Sequence, residues 1–290
     1  MKLIFTICLA LVLTSCVKES LLECPYQYKI RVFVKDKNYN NSSAIGIDTI
    51  DENLPFKQYV SNIYYTLQNI NTGENVINPF EKNITGDEKE IDIILDQIPD
   101  GEYRLTIWGN IEAIGNTVED PSILHENKEE DTDEYIATEI IAIKTGLVQT
   151  KSIGLERIKG KLVVTLNNLP DYITQIREDV TSIYQTIDNN RKYSQETDVE
   201  KTFLKSTLSL KQISTFLAPT TDRNISILSL SFYRSDNSEP IVIVTPIEIN
   251  ITKNEITAVT INYNSSQNQL EVWVYIDNEW TLIQLLDINE

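Results

Sequence analysis

Apolar and polar residues alternate at period two through most of the chain, the pattern of strands with one buried face. Tyr28 to Lys35 reads as a strand, and so does Asn62 to Gln68. Further alternating or strongly apolar runs lie at 90–95, 103–108, 139–144, 161–166, 226–233, 241–244, 257–263, 270–276 and 280–286. Isoleucine is abundant, and its branched Cβ suits a pleated sheet better than a helix. Asp277-Asn278-Glu279 predicts a hairpin turn between the last two runs, because Asp and Asn tolerate turn geometry. Tyr172 to Thr186 has helical spacing but many β-branched residues, so helix and strand both stay open there. The pattern predicts an all-β chain.

At 290 residues the chain is long enough for two domains. Gly146 and Gly154 flank a polar stretch, and a fresh strand run opens at Leu155 to Gly160. The halves have similar length and alternation, which predicts two β-sandwiches in tandem, 26–150 and 151–290, without a clear internal repeat.

The N-terminus predicts export. Lys2 precedes an apolar run from Leu3 to Leu13, the length of a signal-peptide core and too short for a membrane-spanning helix of about 20 residues. The run ends in Leu13-Thr14-Ser15-Cys16, an apolar residue, two small ones and a cysteine. That is the lipobox of bacterial lipoproteins, with cleavage between Ser15 and Cys16 and a diacylglycerol on the Cys16 thiol; an ordinary secretory signal with a chance cysteine is the alternative. Residues 1–15 are then a signal peptide and 16–25 a lipidated tether. Each buried CH₂ adds about 0.8 kcal/mol, so a palmitate-class anchor of two or three chains holds firmly. Loss of Cys8 and acylation of Cys16 leave Cys24 as the one free thiol, which precludes an intrachain disulfide. No later stretch approaches 18 apolar residues.

Composition narrows the function. Lys and Arg number 25 against 43 Asp and Glu, a formal charge of -18, so nucleic acid is not an expected partner. The single histidine, His125, and three cysteines leave no material for a histidine-based triad or a zinc centre. No phosphate-binding loop, dinucleotide fingerprint or nucleophile elbow is present. A two-carboxylate hydrolase needs no histidine, but no pair stands out among the acidic residues. The expectation is a protein that is not an enzyme and needs no cofactor or metal. Glu126 to Glu134 is the densest acidic segment; a calcium loop from Asp131 would need Gly and Glu where Ile136 and Ala142 stand, so a solvated loop is expected. His125 reads as an exposed bystander. Trp108, Trp273 and Trp280 could stack sugars, although packing within strands is the more economical reading.

Ile98-Pro99-Asp100-Gly101-Glu102-Tyr103 is the best local motif. Pro99 fixes φ entering a turn, and Gly101 can supply a positive φ at its end. Tyr103 then stands where the phenol of a tyrosine corner caps backbone across an arch in Greek-key sandwiches, or else follows a plain turn incidentally.

Several of these motifs together resemble one family. Cys16 to Pro25, a lipid cysteine, a short tether and Cys24-Pro25, is similar to the start of the FimB-type anchor subunits, the minor fimbrial lipoproteins of Bacteroidales-type pili. The turn at Pro99 to Tyr103 with Trp108-Gly109-Asn110, the run Ile153 to Leu162 with Leu169-Pro170, and Thr215 to Pro219 extend the resemblance over most of the chain. It implies two tandem transthyretin-like Greek-key sandwiches behind a lipoprotein signal peptide. It also implies an outer-membrane lipoprotein at the cell surface, which tethers a fimbrial shaft through acylated Cys16 and limits its length. Shaft subunits would be the partners, joined by strand exchange in which a neighbour's strand fills an opened groove. Shaft subunits are cut after an Arg in an early loop. Here Arg31, the one Arg before Arg104, falls inside the first strand, and the loop from Asp36 to Tyr59 has none. The alternative is a surface lipoprotein that binds glycans or another cell-surface ligand.

Overall fold

The computed structural model describes residues 27–111, 122–144, 149–204, 207, 211–222, 224–234 and 239–288. Ser15, Cys16 and the rest of the signal and tether lie outside them. In chain order the strands are β1 (Gln27–Val34), β2 (Asn62–Asn69), β3 (Asn75–Asn83), β4 (Glu90–Asp96), β5 (Gly101–Gly109) and β6 (Ser122–Ile123). Next come β7 (Tyr135–Ile143), β8 (Gln149–Arg157), β9 (Gly160–Asn167), β10 (Ile173–Ile187), β11 (Tyr193–Leu204) and β12 (Gln212–Leu217). The last are β13 (Ser226–Arg234), β14 (Val242–Ile243), β15 (Ile247–Ile249), β16 (Ile256–Asn264), β17 (Gln269–Ile276) and β18 (Glu279–Asp287). The all-β expectation is met.

The first sheet runs β3-β2-β5-β7-β8-β1-β4. Its path is continuous only through two residue pairs between β7 and β8, at Tyr135↔Arg157 and Ile136↔Glu156, so it curls over at that corner. Ile30 and Val32 of β1, Leu67 of β2, Leu105 of β5 and Leu155 of β8 pack together inside the curl. A second core lies between β11-β10-β13-β14 and β12-β9-β16-β17-β18, where Ile176, Val180, Leu228, Leu230, Val259 and Val272 are buried. The pair β1/β8 and the pair β9/β16 are parallel, which requires long connections between their members.

The expected division at 150/151 falls inside β8, and segments cross it in both directions. β8 pairs along its length with β1, and β6 pairs with β10 at Thr186↔Ile123. The loop after β1 also reaches over: Asn41 bonds the backbone of Ile256 through both its Nδ2 and its Oδ1, at 2.8 Å each. A third apolar cluster, with Tyr64, Trp108, Leu124, Ile136, Ile158 and Ile187, fills the space between the two cores.

The segment left open at 172–186 is a strand. Ile173, Ile176, Val180, Ile183 and Ile187 are spaced 3-4-3-4 and are all buried, which is the spacing of an amphipathic helix. Register shifts at Ile173/Gln175 and Val180/Ile183, with Ser182 at φ 59, add the extra residues that turn period two into this mimic. At the end of the chain both residues between β17 and β18, Asp277 at φ 52 and Asn278 at φ 66, are left-handed, as a two-residue type I′ hairpin demands.

One polar side chain sits on the inner face of β10. Glu178 is buried; its Oε1 accepts a hydrogen bond from Thr215 Oγ1 at 2.5 Å, and its Oε2 has no partner. Burial pushes its carboxyl up to about 7 against the pull of that bond. A group that binds its proton more tightly when folded stabilises the fold least above its folded pKa, so this contribution falls as pH rises from about 4.5 to about 7. Glu178→Gln should therefore gain on the parent with rising pH, by roughly 3 kcal/mol between pH 4.5 and 8. Urea unfolding at the two pH values checks this; a difference independent of pH would contradict it.

Candidate functional site: a buried polar clasp and an open sheet edge

The turn before β5 brings Pro99, Gly101 and Tyr103 together. The Tyr103 hydroxyl donates to the Pro99 carbonyl at 2.8 Å, and the ring is buried in the first core. Gly101 does not supply the positive φ expected of it. Gln97 is the left-handed residue, at φ 57, and at Gly101 a Cβ would lie 3.2 Å from the Tyr103 ring and hydroxyl, a tight contact from which that ring would have to shift. The turn braces the fold and presents no reactive group.

The acidic segment is the solvated loop that composition suggested only in its first half, where Glu126 to Glu129 are exposed. Asp133 and Glu134 instead turn inward onto Arg157 at the end of β8 and Lys159 in the connector to β9. Arg157 Nε donates to Asp133 Oδ2 at 2.8 Å, and the other guanidinium nitrogens donate to Asn254 Oδ1 at 2.5 Å and to the Tyr135 hydroxyl at 2.7 Å. The Tyr39 ring lies against the same guanidinium, 4.1 Å from its carbon, so the loop after β1 is included. Two residues on, Lys159 Nζ donates to Glu134 Oε1 and to the Thr132 carbonyl, both at 3.0 Å. Lys159 and Glu134 have side-chain exposures of 0% and 1%. Glu130 completes the set: it pairs with Lys201 of β11 and accepts the Phe216 N–H at 2.6 Å.

His125 is likewise inside the protein. Its Nε2 accepts the Ala218 N–H at 2.9 Å, which makes it the neutral tautomer that donates from Nδ1 to the Glu129 carbonyl at 3.2 Å. Burial, together with the Lys159 charge, pushes the ring down to about 3. Both nitrogens are occupied, so His125 holds the backbone of two segments and has no lone pair for general-base chemistry. The sequence carried no signal for this, since a single polar residue in a loop looks alike buried or exposed.

The tryptophans separate. Trp108 is buried in the third cluster, where its Nε1 donates to Asn189 Oδ1 at 3.2 Å. Trp273 and Trp280 lie on neighbouring strands, and Trp280 packs edge-on against Tyr275 at a ring separation of 5.4 Å. β18 forms an edge of its sheet and exposes Trp280, Leu282, Ile283 and Leu285. An exposed apolar edge strand with unpaired backbone groups is a template for another strand. The two sheet edges at this seam are bridged by one side chain: Gln284 accepts the Thr245 N–H at 3.0 Å and donates to the Thr245 carbonyl at 2.6 Å. Among the described residues no cluster of His, Cys, Asp and Glu is placed to hold a metal, and no helix is long and apolar enough to cross a membrane.

Solved structures share this arrangement over nearly the whole chain. A candidate adhesin from Bacteroides thetaiotaomicron aligns with 93% of this chain and 100% of its own, at TM-score 0.53 and 12% identity. A Bacteroides thetaiotaomicron protein described as a candidate polysaccharide-binding protein aligns with 90% of this chain and 99% of its own, at TM-score 0.54 and 10% identity. A candidate cell adhesion protein from Bacteroides ovatus aligns with 92% and 99%, at TM-score 0.51 and 8% identity. No family model matches the chain, and no curated protein matches it. At these identities the likeness is one of fold: the chain has the all-β sandwich fold of these proteins.

Removing one partner of a buried ion pair leaves the other charge without compensation, at about 3–5 kcal/mol. Lys159→Met should therefore lower the unfolding free energy by that amount, and Lys159→Met with Glu134→Leu should recover most of the loss. Guanidinium titration of the three proteins measures it; a double variant no more stable than the single one would show that the pair is not coupled.

Proposed function

We propose that this protein is a lipid-anchored subunit of a surface fimbria that acts at the membrane end of the shaft and is not an enzyme. The two tandem sandwiches expected from the sequence, with the chain passing between them near Ile158, would be its body. The observation that carries the reading is the way β1 is held. It pairs with β4 on one side and β8 on the other, from Gln27 to Val34, and buries Ile30, Val32 and Val34. Arg31 points away from the core and sits 3.4 Å from Glu90 and 3.7 Å from Asp92. It belongs to a doubly paired strand, a poor substrate for a protease that needs an extended, accessible loop. The loop that follows is fastened at Asn40 and Asn41 to Asn254 and Ile256. A subunit that keeps β1 also keeps whatever is attached upstream of it, here the acylated Cys16.

Retention of β1 closes the groove that strand exchange would need, so growth by acceptance of a strand stops at this subunit. The exposed edge at β18 leaves a place where a shaft subunit can pair by sheet augmentation. Together these features suit a terminus that tethers a polymer to the outer membrane and limits its length. Capture of a surface glycan by the same anchored chain is a second reading, favoured by the aromatic residues on the outer face of β17 and β18.

Cys16→Ser in the native locus separates anchoring from folding. The variant should lose radiolabelled palmitate and shed fimbriae into the medium, with cell-attached filaments falling several-fold by electron microscopy. Label that persists would remove the lipid assignment, and filaments of unchanged length and attachment would remove the anchor role.

A further inference from the structure

A groove lies at the turn end of β17. It encloses about 660 Å³, within the range of roughly 300–1,000 Å³ common to ligand sites. Its floor includes Tyr275 and Ile276, and Glu248, Glu255, Asp277 and Asn278 stand around it. Among the described residues no Lys or Arg lines it. Elsewhere on this protein some exposed carboxylates meet a cation, as at Lys29–Asp92, Lys151–Glu139 and Arg177–Glu200. Around this groove the side chains of Glu248, Glu255, Asp277 and Asn278 make no hydrogen bond or ion pair to another described residue. Trp280, 42% exposed, stands edge-on to Tyr275 and extends the aromatic surface beyond the groove's mouth. The Tyr275 hydroxyl is committed to the Ala44 carbonyl at 3.0 Å, which fixes the ring in place.

We propose that this groove binds a neutral oligosaccharide, with sugar C–H faces on Tyr275 and Trp280 and sugar hydroxyls donating to Glu248, Glu255 and Asp277. The inference rests on the glycan reading above and gives it a location and a chemical class. Three physical points select that class. Carboxylates that meet no donor within the protein can accept hydrogen bonds from a hydroxyl-rich ligand, whereas an acceptor-rich ligand offers them none. With no Lys or Arg among its described lining residues, in a chain of formal charge -18, the groove disfavours uronate and sulfated chains by repulsion. The electron-rich ring faces attract the polarised C–H groups of a pyranose, and a rigid aromatic platform loses little side-chain entropy on binding.

Isothermal titration calorimetry of the full-length chain tests this with chitohexaose, mannohexaose and maltohexaose as neutral probes. Hexagalacturonate and hexalysine serve as charged comparisons. At least one neutral hexasaccharide should bind, at least about tenfold more tightly than hexagalacturonate. Trp280→Ala and Glu255→Ala should each weaken it about tenfold or more, with the thermal unfolding midpoint unchanged, and Trp280→Phe should restore most of the affinity. Neutral sugar binding that survives both alanine changes would overturn this site while leaving glycan capture standing. Failure of all three neutral probes, or tighter binding of hexagalacturonate or hexalysine, would overturn the proposal together with its chemical class.

Discussion

Two cations leave water where the chain passes from its first sheet to its second, and the structure around them is arranged to satisfy them. Arg157 ends β8 and Lys159 precedes β9, with the apolar Ile158 between them in the central cluster. Burying an unpaired charge costs several kcal/mol, so anions and carbonyls must meet both side chains wherever the connector lies. Asp133 and Glu134 supply the anions from the residues just before β7, which ties the start of that strand to the connector. Asn254 and Tyr39 bring in the loops from the other half and from β1. The backbone is held as closely: a Cβ on Gly160 would come within 2.4 Å of the Thr252 carbonyl oxygen. Position at the seam is thus set by charge and by backbone contact, and the apolar cluster beside it supplies the burial.

The same arrangement explains what the sequence disclosed and what it hid. Strands with one clean apolar face, such as β4 and β17, were legible because burial and period agree in them. β3 is not legible in the sequence: it is an edge strand whose described side chains are mostly exposed, and its sequence contains a proline, which suits an edge. β11 is also an edge, and only Val199 and Phe203 of its twelve residues are buried. β10 carried a misleading period because its bulges add residues that no local pattern announces. The charged segment at 126–134 shows a deeper limit. Composition reports that carboxylates are present, while the inward turn of Glu130, Asp133 and Glu134 depends on Lys201, Arg157 and Lys159, which lie tens of residues away.

Functional residues divide along the same line. The Pro99–Tyr103 turn is local, and its residues alone brought it to attention, although the role of Gly101 in making room for a ring needed coordinates. The lipobox expected at Leu13 to Cys16 is local too, and that expectation rests on the chain alone. The edge at β18, the Gln284 bridge and the groove beside Tyr275 are products of tertiary structure. A stretch such as Trp280 to Leu286 reads as an ordinary amphipathic strand until its sheet is seen to end there. For the anchored subunit proposed above this is the expected division of information: a local signal is written in the chain, and the contact surfaces are built by the fold.

The functional account depends most on β1 being a permanent part of the first sheet. Amide hydrogen exchange of the mature, full-length protein measures that directly, because local opening free energies separate removable segments from core strands. The amides of Ile30, Val32 and Val34 should exchange as slowly as those of Leu105 and Ile107 in β5, through global unfolding alone. Exchange of β1 at a much lower opening free energy than β5 would mean that the strand detaches on its own, and that this subunit is built to be opened.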